Sequence, residues 1–445
     1  MSRRRVVVTG LGMISPLGTT APECWSALLG GRAAVATTPD SWRRYAEPTS
    51  TVWAPLPPID WAARGIGRIE QMQLDPCGML AITAAAEALD DAGLAAEPAD
   101  PRKHTFRLPH APAERCGVFM GTGVGGISSF FGNVANHLLA PLRPGTDSRP
   151  AGADHEPLPP MPARFSPYAV PAMMPNAVSA LLGIRWSLGG PNLTFAQACA
   201  AGTVAVGHAF RSVASGAVDV ALCGGAEYLG DPYGGMFRGF DVARTLAAAG
   251  DDPRRANRPF DRDRTGFLFA EGGAAVLVCE EADAARRRGA RAYAEVVGYA
   301  ENFDGYSIMA MAPSGDRIAA MVAAAIGDAG CTADDVSYLN AHGTGTAVND
   351  EIESAVIERL FGRRPLVAAT KSLTGHCIGA GGGIEAAVTA LSLFHQTTHA
   401  CHNLEHPIRD LRFAREPGPC TIDTALTQSF AFGGHNAAVV MRRVG

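Results

Sequence analysis

Short apolar runs of β type alternate along the chain with longer segments in which apolar residues recur every three or four positions. The β-type runs cover residues 5–9, 116–120, 218–224, 292–299, 336–340, 366–369, 429–432 and 437–442. Helical spacing is found in residues 22–29, 80–93, 204–213, 317–329, 352–361 and 381–394. Strands that alternate with helices predict an α/β fold in which helices cover the sheets. Residues 266–280 alternate only in part and are predicted to form a hairpin-like pair of strands.

The alternation of strands and helices starts again near residue 290. This restart indicates two similar halves, residues 1–282 and residues 283–445. No repeat is visible in the amino-acid sequence itself, so the division depends on the order of the elements alone.

Cys199 lies where a β-type run meets a helical segment, and it is followed by the small residues Ala200, Ala201 and Gly202. A strand, a sharp turn and a helix expose a nucleophile at the turn. A thiol in the first helical turn faces unpaired N–H groups and the positive end of the helix dipole, so a lowered thiol pKa is expected. Most free cysteines are buried structural residues, and for Cys199 taken alone that alternative stays open.

Three further turns rich in glycine follow predicted strands. They are residues 340–346 with His342, residues 370–380 with Lys371 and His376, and residues 429–436, whose backbone could donate to an oxyanion. The structural alternatives are a histidine bonded to local backbone, a lysine that extends to the surface, and a plain β-turn. A cysteine, two histidines and a lysine at strand ends nevertheless form a set with chemically distinct roles.

Composition narrows the class of protein. The 445 residues are 47% hydrophobic and 18% charged, which is typical of a soluble globular enzyme. A net charge of −5 gives no reason to expect a nucleic-acid partner. The ten cysteines include no Cys-x-x-Cys pair, so neither a disulfide framework nor a metal site is expected, and a reduced, cytoplasmic location is predicted. No run is long and apolar enough for a membrane span.

Residues 121–126 match the Gly-x-Gly-x-x-Gly pattern of dinucleotide-binding loops. The second strand with a terminal acidic residue is missing, because a proline-rich stretch, residues 141–162, follows instead. We therefore expect no dinucleotide cofactor. The glycines are expected to let the backbone pass close to the Cys199 site.

Together these motifs resemble those of elongating β-ketoacyl-acyl carrier protein synthases of the type II, thiolase-like superfamily. The resemblance covers nearly the whole chain and rests on residues 4–10, 197–202, 258–266, 340–346, 371–383 and 430–436. It implies a thiolase-like fold, with two similar halves in a layered αβαβα arrangement, and a tight dimer. It also implies an acyl carrier protein as partner and no separate cofactor, because the substrates are carried on phosphopantetheine.

The resemblance further implies a decarboxylative Claisen condensation. Cys199 would accept an acyl group, a malonyl carrier protein would lose CO₂, and the carbanion would attack the Cys199 thioester. By the same resemblance, His342 and His376 would donate to the malonyl thioester oxygen, Lys371 would fix His376, and Glu353 would pair with Lys371 or order nearby backbone. The N–H groups of Cys199 and Phe432 would hold the oxyanion, and the Phe432 side chain would act as a gate. Thr344 and Thr346 would contact the phosphopantetheine arm, Phe130 would lie deep in the acyl pocket, and Ala169 stands where a phenylalanine of the dimer mate commonly closes that pocket.

The chain departs from the commonest family pattern in four places. His435 replaces a threonine, Gln197 replaces a smaller residue, and residues 98–112 and 141–164 form longer segments. The expected carrier-docking rim is also less basic, so docking is expected to use either Arg64, Arg68, Arg254 and Arg255 or a dedicated carrier protein. These departures favour a polyketide synthase over fatty-acid synthesis.

Two alternatives from other classes remain. One is a silent partner subunit of the chain-length-factor type, and the other is a thiolase-like enzyme that uses coenzyme A. The first lacks the nucleophile, so Cys199 argues against it, and the second differs in one of the two histidines. The pathway, the chain length and the choice between a homodimer and a heterodimer with a chain-length factor stay open.

Overall fold

The computed structural model describes residues 3–43, 47–94, 96–100, 104–139 and 165–445. Its strands are β1 (Val6–Ile14), β2 (Ala36–Thr37), β3 (Val52–Trp53), β4 (Glu97–Asp100), β5 (Thr105–Arg107), β6 (Cys116–Gly121), β7 (Asn192–Phe195), β8 (Val220–Tyr228), β9 (Gly272–Glu281), β10 (Ala294–Phe303), β11 (Tyr338–Asn340), β12 (Leu366–Ala368), β13 (Thr397–Thr398), β14 (Gly418–Pro419), β15 (Thr424–Phe430) and β16 (His435–Arg442).

The α-helices connect these strands, and several begin directly behind the turns that carry candidate residues. They are α1 (Ala21–Leu29), α2 (Asp40–Arg43), α3 (Arg68–Gln71), α4 (Pro76–Asp91), α5 (Ile127–Leu139), α6 (Ala169–Met173), α7 (Ala177–Arg185), α8 (Ala201–Ala214), α9 (Gly235–Val242), α10 (Ala282–Arg287), α11 (Asp316–Asp328), α12 (Ala347–Phe361), α13 (Lys371–Thr374) and α14 (Gly381–His395).

The main sheet has ten strands in the order β12-β11-β15-β16-β10-β1-β9-β8-β6-β7. Outward from the central antiparallel pair of β1 and β10, each arm has two antiparallel pairings followed by two parallel ones. The two arms therefore repeat one topology, which confirms two similar halves. The predicted boundary at residues 282 and 283 stays a prediction.

Helices α8 and α14 form the inner layer of the molecule. Helix α8 packs against β8 and β6 of one arm and β16 of the other, and α14 packs against β9 and β15. The two helices approach at glycines: a Cβ on Gly202 would lie 2.4 Å from the Gly383 nitrogen. Helices α4 and α11 cover the outer faces of the two arms. The predicted layered αβαβα arrangement is thus confirmed.

Two of the sequence predictions about segments have different outcomes. The hairpin predicted for residues 266–280 is wrong, because β9 is a single strand that pairs with β1 on one side and β8 on the other. The segment 141–164 lies outside the described residues, as do residues 101–103 of the segment 98–112. Among the helices that the structure describes, none has the length and apolar character needed to cross a membrane.

Candidate active site

Cys199 lies in a 3₁₀ turn, Ala198–Ala200, between β7 and α8. Ala198 adopts a left-handed conformation with φ +45°, which is strained for a residue with a Cβ atom and is imposed here by the sharp turn. The other half has a matching turn, Ile378–Ala380, directly before α14, and Ile378 also has φ +45°. The strand, turn and helix predicted for Cys199 are therefore present, and a second copy of this turn carries the segment that follows His376.

The thiol of Cys199 is in contact with an imidazole. Its Sγ atom lies 3.1 Å from Nε2 of His376, and both residues are buried. The backbone N–H of His376 donates to the Leu268 carbonyl at 2.8 Å, and the Phe267 ring packs edge-on against the imidazole. Backbone pairing and ring packing thus fix the imidazole beside the sulfur.

Lys371 orients the second histidine. Its Nζ atom lies 3.0 Å from Nδ1 of His342, donates to the His342 carbonyl at 2.8 Å, and donates to the carboxylate of Glu385. An ammonium can only donate, so Nδ1 of His342 must accept, and the ring proton lies on Nε2. The ring of His342 is 5.5 Å from that of His376 between centroids. His342 can therefore donate a hydrogen bond from Nε2 toward a substrate oxygen.

Burial keeps both imidazoles neutral. Burial and then the charge of Lys371 hold the pKa of His376 well below its usual value. Burial, then the charge of Lys371 and then electrostatic repulsion by His376 hold the pKa of His342 well below its usual value. A neutral imidazole can accept a proton at one ring nitrogen and donate a hydrogen bond from the other, and before the reaction it places no charge beside the lysine.

Glu353 orders the turn that carries His342. It accepts the N–H groups of His342 at 2.7 Å and Gly343 at 2.8 Å, and the side-chain amide of Gln428 at 2.7 Å. Burial raises the pKa of Glu353 to about 7. Of the two predicted roles for this residue, ordering the backbone is observed and pairing with Lys371 is not.

The predicted contact between Lys371 and His376 is wrong, because the hydrogen bonds of Lys371 go to His342. The carboxylate that pairs with Lys371 is that of Glu385. Glu385 was missed by the sequence analysis. A signal for it existed, because Glu385 is the one carboxylate in the apolar helix 381–394, and a buried carboxylate needs a compensating partner.

The expected low pKa of the Cys199 thiol is also wrong. Burial raises this pKa to about 12, although the charge of Lys371 opposes the shift. The backbone N–H groups of Phe432 and Cys199 donate toward the sulfur and lower its pKa in part. The helix dipole is outweighed because the thiol lies in an apolar cluster that the sequence analysis missed. This apolar cluster comprises Trp42, Leu229, Phe237, Leu246, Phe267, Phe269 and Ile378.

Phe432 lies in the turn between β15 and β16, where Gly433 and Gly434 both have φ +87°. Its side chain is 38% exposed although its N–H points at the Cys199 sulfur. Gly433 donates to the Ile308 carbonyl at 2.7 Å, and the His435 ring packs against Phe303 at 5.2 Å between centroids. The predicted gate is thus held between the thiol and an adjacent surface loop.

The remaining predicted residues lie in two other places. Thr344 and Thr346 follow His342 in its turn, with their hydroxyl oxygens 3.0 Å apart. Phe130 lies on α5 and Ala169 begins α6, which packs against α5. Phe130 is 38% exposed in the single chain, so it is not ordinary core packing, whereas Ala169 is buried. Among the described residues no cluster of three or more histidine, cysteine or acidic side chains could hold a metal ion.

Comparisons with known proteins agree with this geometry. The family model described as the beta-ketoacyl synthase N-terminal domain matches residues 3–284, and the beta-ketoacyl synthase C-terminal domain matches residues 293–405. The chain is 34% identical over 449 residues to 3-oxoacyl-[acyl-carrier-protein] synthase 2 of Synechocystis sp., covering 100% of this chain and 99% of that protein.

Two solved structures are similar over the full length of the chain. One is a type II PKS acyl-carrier protein in complex with its ketosynthase bound to the hexaketide, with a TM-score of 0.82, 26% identity and complete coverage of both chains. The other is the ishigamide ketosynthase/chain length factor, with a TM-score of 0.83, 28% identity and complete coverage of both chains.

Proposed function

The chain belongs to the beta-ketoacyl synthase family, and we propose that it is an acyltransferase that condenses a malonyl group with an acyl group held on Cys199. Both groups arrive on acyl carrier protein, CO₂ is released, and the product is a β-ketoacyl carrier protein. One observation carries the proposal: a buried thiol lies 3.1 Å from one neutral imidazole, and a second imidazole beside it has its tautomer fixed by a lysine.

Acylation is the first step. The sulfur of Cys199 attacks the carrier thioester while Nε2 of His376 accepts the thiol proton, which then goes to the departing carrier thiol. A base is needed because burial keeps the thiol protonated. The N–H groups of Cys199 and Phe432 are aimed at the sulfur, so they can hold the oxyanion that forms on the attacked carbonyl.

Decarboxylation and condensation follow. The bond between the malonyl carboxylate and its α-carbon breaks, CO₂ leaves, and the electron pair forms an enolate. His342 donates from Nε2 to the enolate oxygen, and His376 donates from its own Nε2 after a change of tautomer. The α-carbon then attacks the Cys199 thioester, and the C–S bond breaks with its electron pair on the sulfur. The Cys199 thiolate so released takes up one proton from solvent to restore the thiol.

The proposal includes acyl carrier protein as the partner that delivers both substrates. Thr344 and Thr346 are proposed to contact its phosphopantetheine arm, with Phe130 and Ala169 on the walls of the acyl pocket. Of the four predicted docking arginines, Arg254 pairs with Asp252, Arg255 pairs with Glu405, and Arg64 is bonded to Thr19. Arg68 is exposed beside the exposed side chains of Ile69 and Met72, so we assign it the main role in docking.

A homodimer is the proposed assembly. Strand β7 lies at one end of the ten-stranded sheet with Leu193 half-exposed, and Val170 of α6 is 61% exposed. An open strand edge with apolar side chains is the kind of surface that pairs with a second chain. A heterodimer with a chain-length factor is the second candidate, because a ketosynthase/chain length factor is among the similar structures. The polyketide pathway and the cytoplasmic location stay predictions.

A single-turnover assay tests the proposed reaction. The protein is mixed with acyl-loaded and malonyl-loaded carrier proteins, and the carrier products are weighed by mass spectrometry. We expect a β-ketoacyl carrier with the wild type and none with Cys199→Ala. Condensation of two acetyl-coenzyme A molecules without malonyl carrier would instead identify a thiolase. Absence of product with cognate carriers, alone or with a chain-length factor, would contradict the proposal.

A further inference from the structure

A buried carboxylate behind Cys199 has no part in the proposed reaction. Glu227, at the end of β8, is fully buried. It accepts the N–H groups of Gly123, Val124 at 3.3 Å and Gly379 at 3.1 Å, and the hydroxyl of Thr122 at 3.2 Å. Within the described part of the chain, no lysine or arginine forms an ion pair with it. Hydrogen bonds from two separate loops therefore offset part of the cost of burying its charge, and burial still raises the pKa of Glu227 to about 7.

These two loops belong to different halves of the molecule. Residues 122–126 lead from β6 into α5, and residues 376–379 carry His376 into the turn before α14. The loops touch at glycines, because a Cβ on Gly379 would lie 2.3 Å from the Gly123 nitrogen. A Cβ on Gly123 would lie 2.5 Å from the Glu227 carboxylate. Gly123 is thus explained by close approach to Glu227 and to the turn that follows His376, whereas Gly121 approaches Ala201 and Gly126 approaches the Ala172 carbonyl.

The charge of Glu227 works against the nucleophile. After burial and the opposing effect of Lys371, this carboxylate is the next cause of the raised pKa of Cys199. A neutral side chain would spare the thiol that effect. However, a neutral side chain could not accept hydrogen bonds from four donors on two loops at once, as the two oxygens of a carboxylate do. The benefit of a carboxylate at this position is therefore geometric.

We infer that Glu227 is a positioning residue for the condensation, which holds the acyl-side loop 122–124 and the histidine-side turn 376–379 in register behind Cys199. Through the first loop it sets where α5 begins, and through the second it sets the distance between His376 and the sulfur. This inference rests on the proposed function, since it assigns Glu227 to the acylation of Cys199.

Two variants separate the geometry from the charge. Glu227→Gln keeps the length of the side chain, removes the charge and turns an acceptor into a donor that faces backbone N–H groups. Thr122→Val keeps the carboxylate and removes one of its hydrogen bonds. The matched control is Glu280→Gln, a buried glutamate on the paired strand β9 that is bonded to Thr9 and Arg288 away from the site.

Two readouts are taken on each folded protein. The first is the rate at which an acyl carrier protein acylates Cys199, followed by intact-protein mass spectrometry. The second is the pH profile of Cys199 alkylation by iodoacetamide, followed by peptide mapping. The groups that face this sulfur are Lys371, His376 and Glu227, and the carboxylate of Glu227 also faces the thiols of Cys77 and Cys377.

We expect Glu227→Gln to acylate at least about ten-fold more slowly, because small displacements of reacting groups carry penalties of this size or more. Its alkylation profile should nevertheless move to lower pH, since a negative charge near the sulfur is gone. Thr122→Val should acylate more slowly with its alkylation profile unchanged. Glu280→Gln should lose stability and leave both readouts unchanged.

Wild-type acylation rates in Glu227→Gln, or an equal loss in Glu280→Gln, would overturn the inference. If Glu227→Gln does not fold, Thr122→Val decides, and an unchanged acylation rate in that variant overturns it. A wild type that is never acylated would contradict the proposed function itself, which distinguishes the two failures.

Discussion

The ion pair of Lys371 and Glu385 offers a prediction in which stability and activity respond differently. The two side chains are 3% and 1% exposed, and Lys371 also donates to the ring and the carbonyl of His342. Glu385→Gln leaves the ammonium without its counter-charge, and Lys371→Met leaves the carboxylate without its own. Breaking a buried pair in this way typically costs about 3–5 kcal/mol of unfolding free energy.

The double variant Lys371→Met/Glu385→Gln should be more stable than either single variant. Replacing both charges removes the desolvation penalty together with the attraction, and such replacements are often close to neutral. The cycle should therefore give a coupling energy of about 2 kcal/mol or more, larger than that of exposed pairs. A typical domain has about 5–15 kcal/mol of stability, so the single variants should remain folded.

Activity should not recover with stability. Lys371→Met and the double variant lose the contacts that fix the tautomer of His342, and Glu385→Gln leaves the ammonium that makes them without its counter-charge. Each variant should therefore decarboxylate malonyl carrier protein more slowly than the wild type. Urea denaturation followed by the fluorescence of the five tryptophans measures stability, and mass spectrometry of the carrier measures decarboxylation. Additive losses of stability would show that the two charges are not coupled, and a double variant with wild-type decarboxylation would show that Lys371 does not orient His342.

Three further predictions follow from single sites. Burial raises the pKa of Glu353 from 4.5 to about 7, so the stability that this residue contributes is present below pH 4.5 and is lost as the pH rises through about 7. The melting temperature of the wild type, measured relative to that of Glu353→Gln, should therefore be higher at pH 5 than at pH 8. The opposite order would disprove this prediction. Phe130→Gly should accept longer acyl primers and Ala169→Phe only shorter ones, in competition assays with carriers of graded chain length; an unchanged length profile in both would mean that the pocket lies elsewhere. Arg68→Glu should raise KM for carrier-bound substrate with little effect on kcat. Arg254→Glu should raise KM less, because the charge of Arg254 is already paired with Asp252. Equal effects of the two variants would show that the docking face is not centred on Arg68.

The placement of the reactive side chains could be predicted because it is local. Cys199 and His342 each follow a strand and precede a small residue, and His376 lies in the glycine-rich segment between α13 and α14. The structure brings Cys199 and His376 within 3.1 Å beside equivalent turns of the two halves. The repeated strand order could likewise be anticipated from where the alternation starts again.

Other features depend on residues that are far apart in the sequence. The pKa of Cys199 is set by burial against side chains from residues 42, 237 and 267–269, which no pattern around residue 199 reveals. The single strand β9 was mistaken for a hairpin because its partners are β1 and β8, distant in the chain. Lys371 could be recognised as needing a partner, but the choice of Glu385 over Glu353 depends on how α14 packs.

The acylation of Cys199 by a carrier protein is the decisive measurement for the proposed condensation. The wild type is incubated with an acyl-loaded carrier protein, and the intact mass and the peptide that contains residue 199 are measured before malonyl carrier is added. We expect one acyl adduct per chain on Cys199, which disappears when malonyl carrier is added and is absent from Cys199→Ala. An adduct on another residue, or product formed by Cys199→Ala at the wild-type rate, would contradict it.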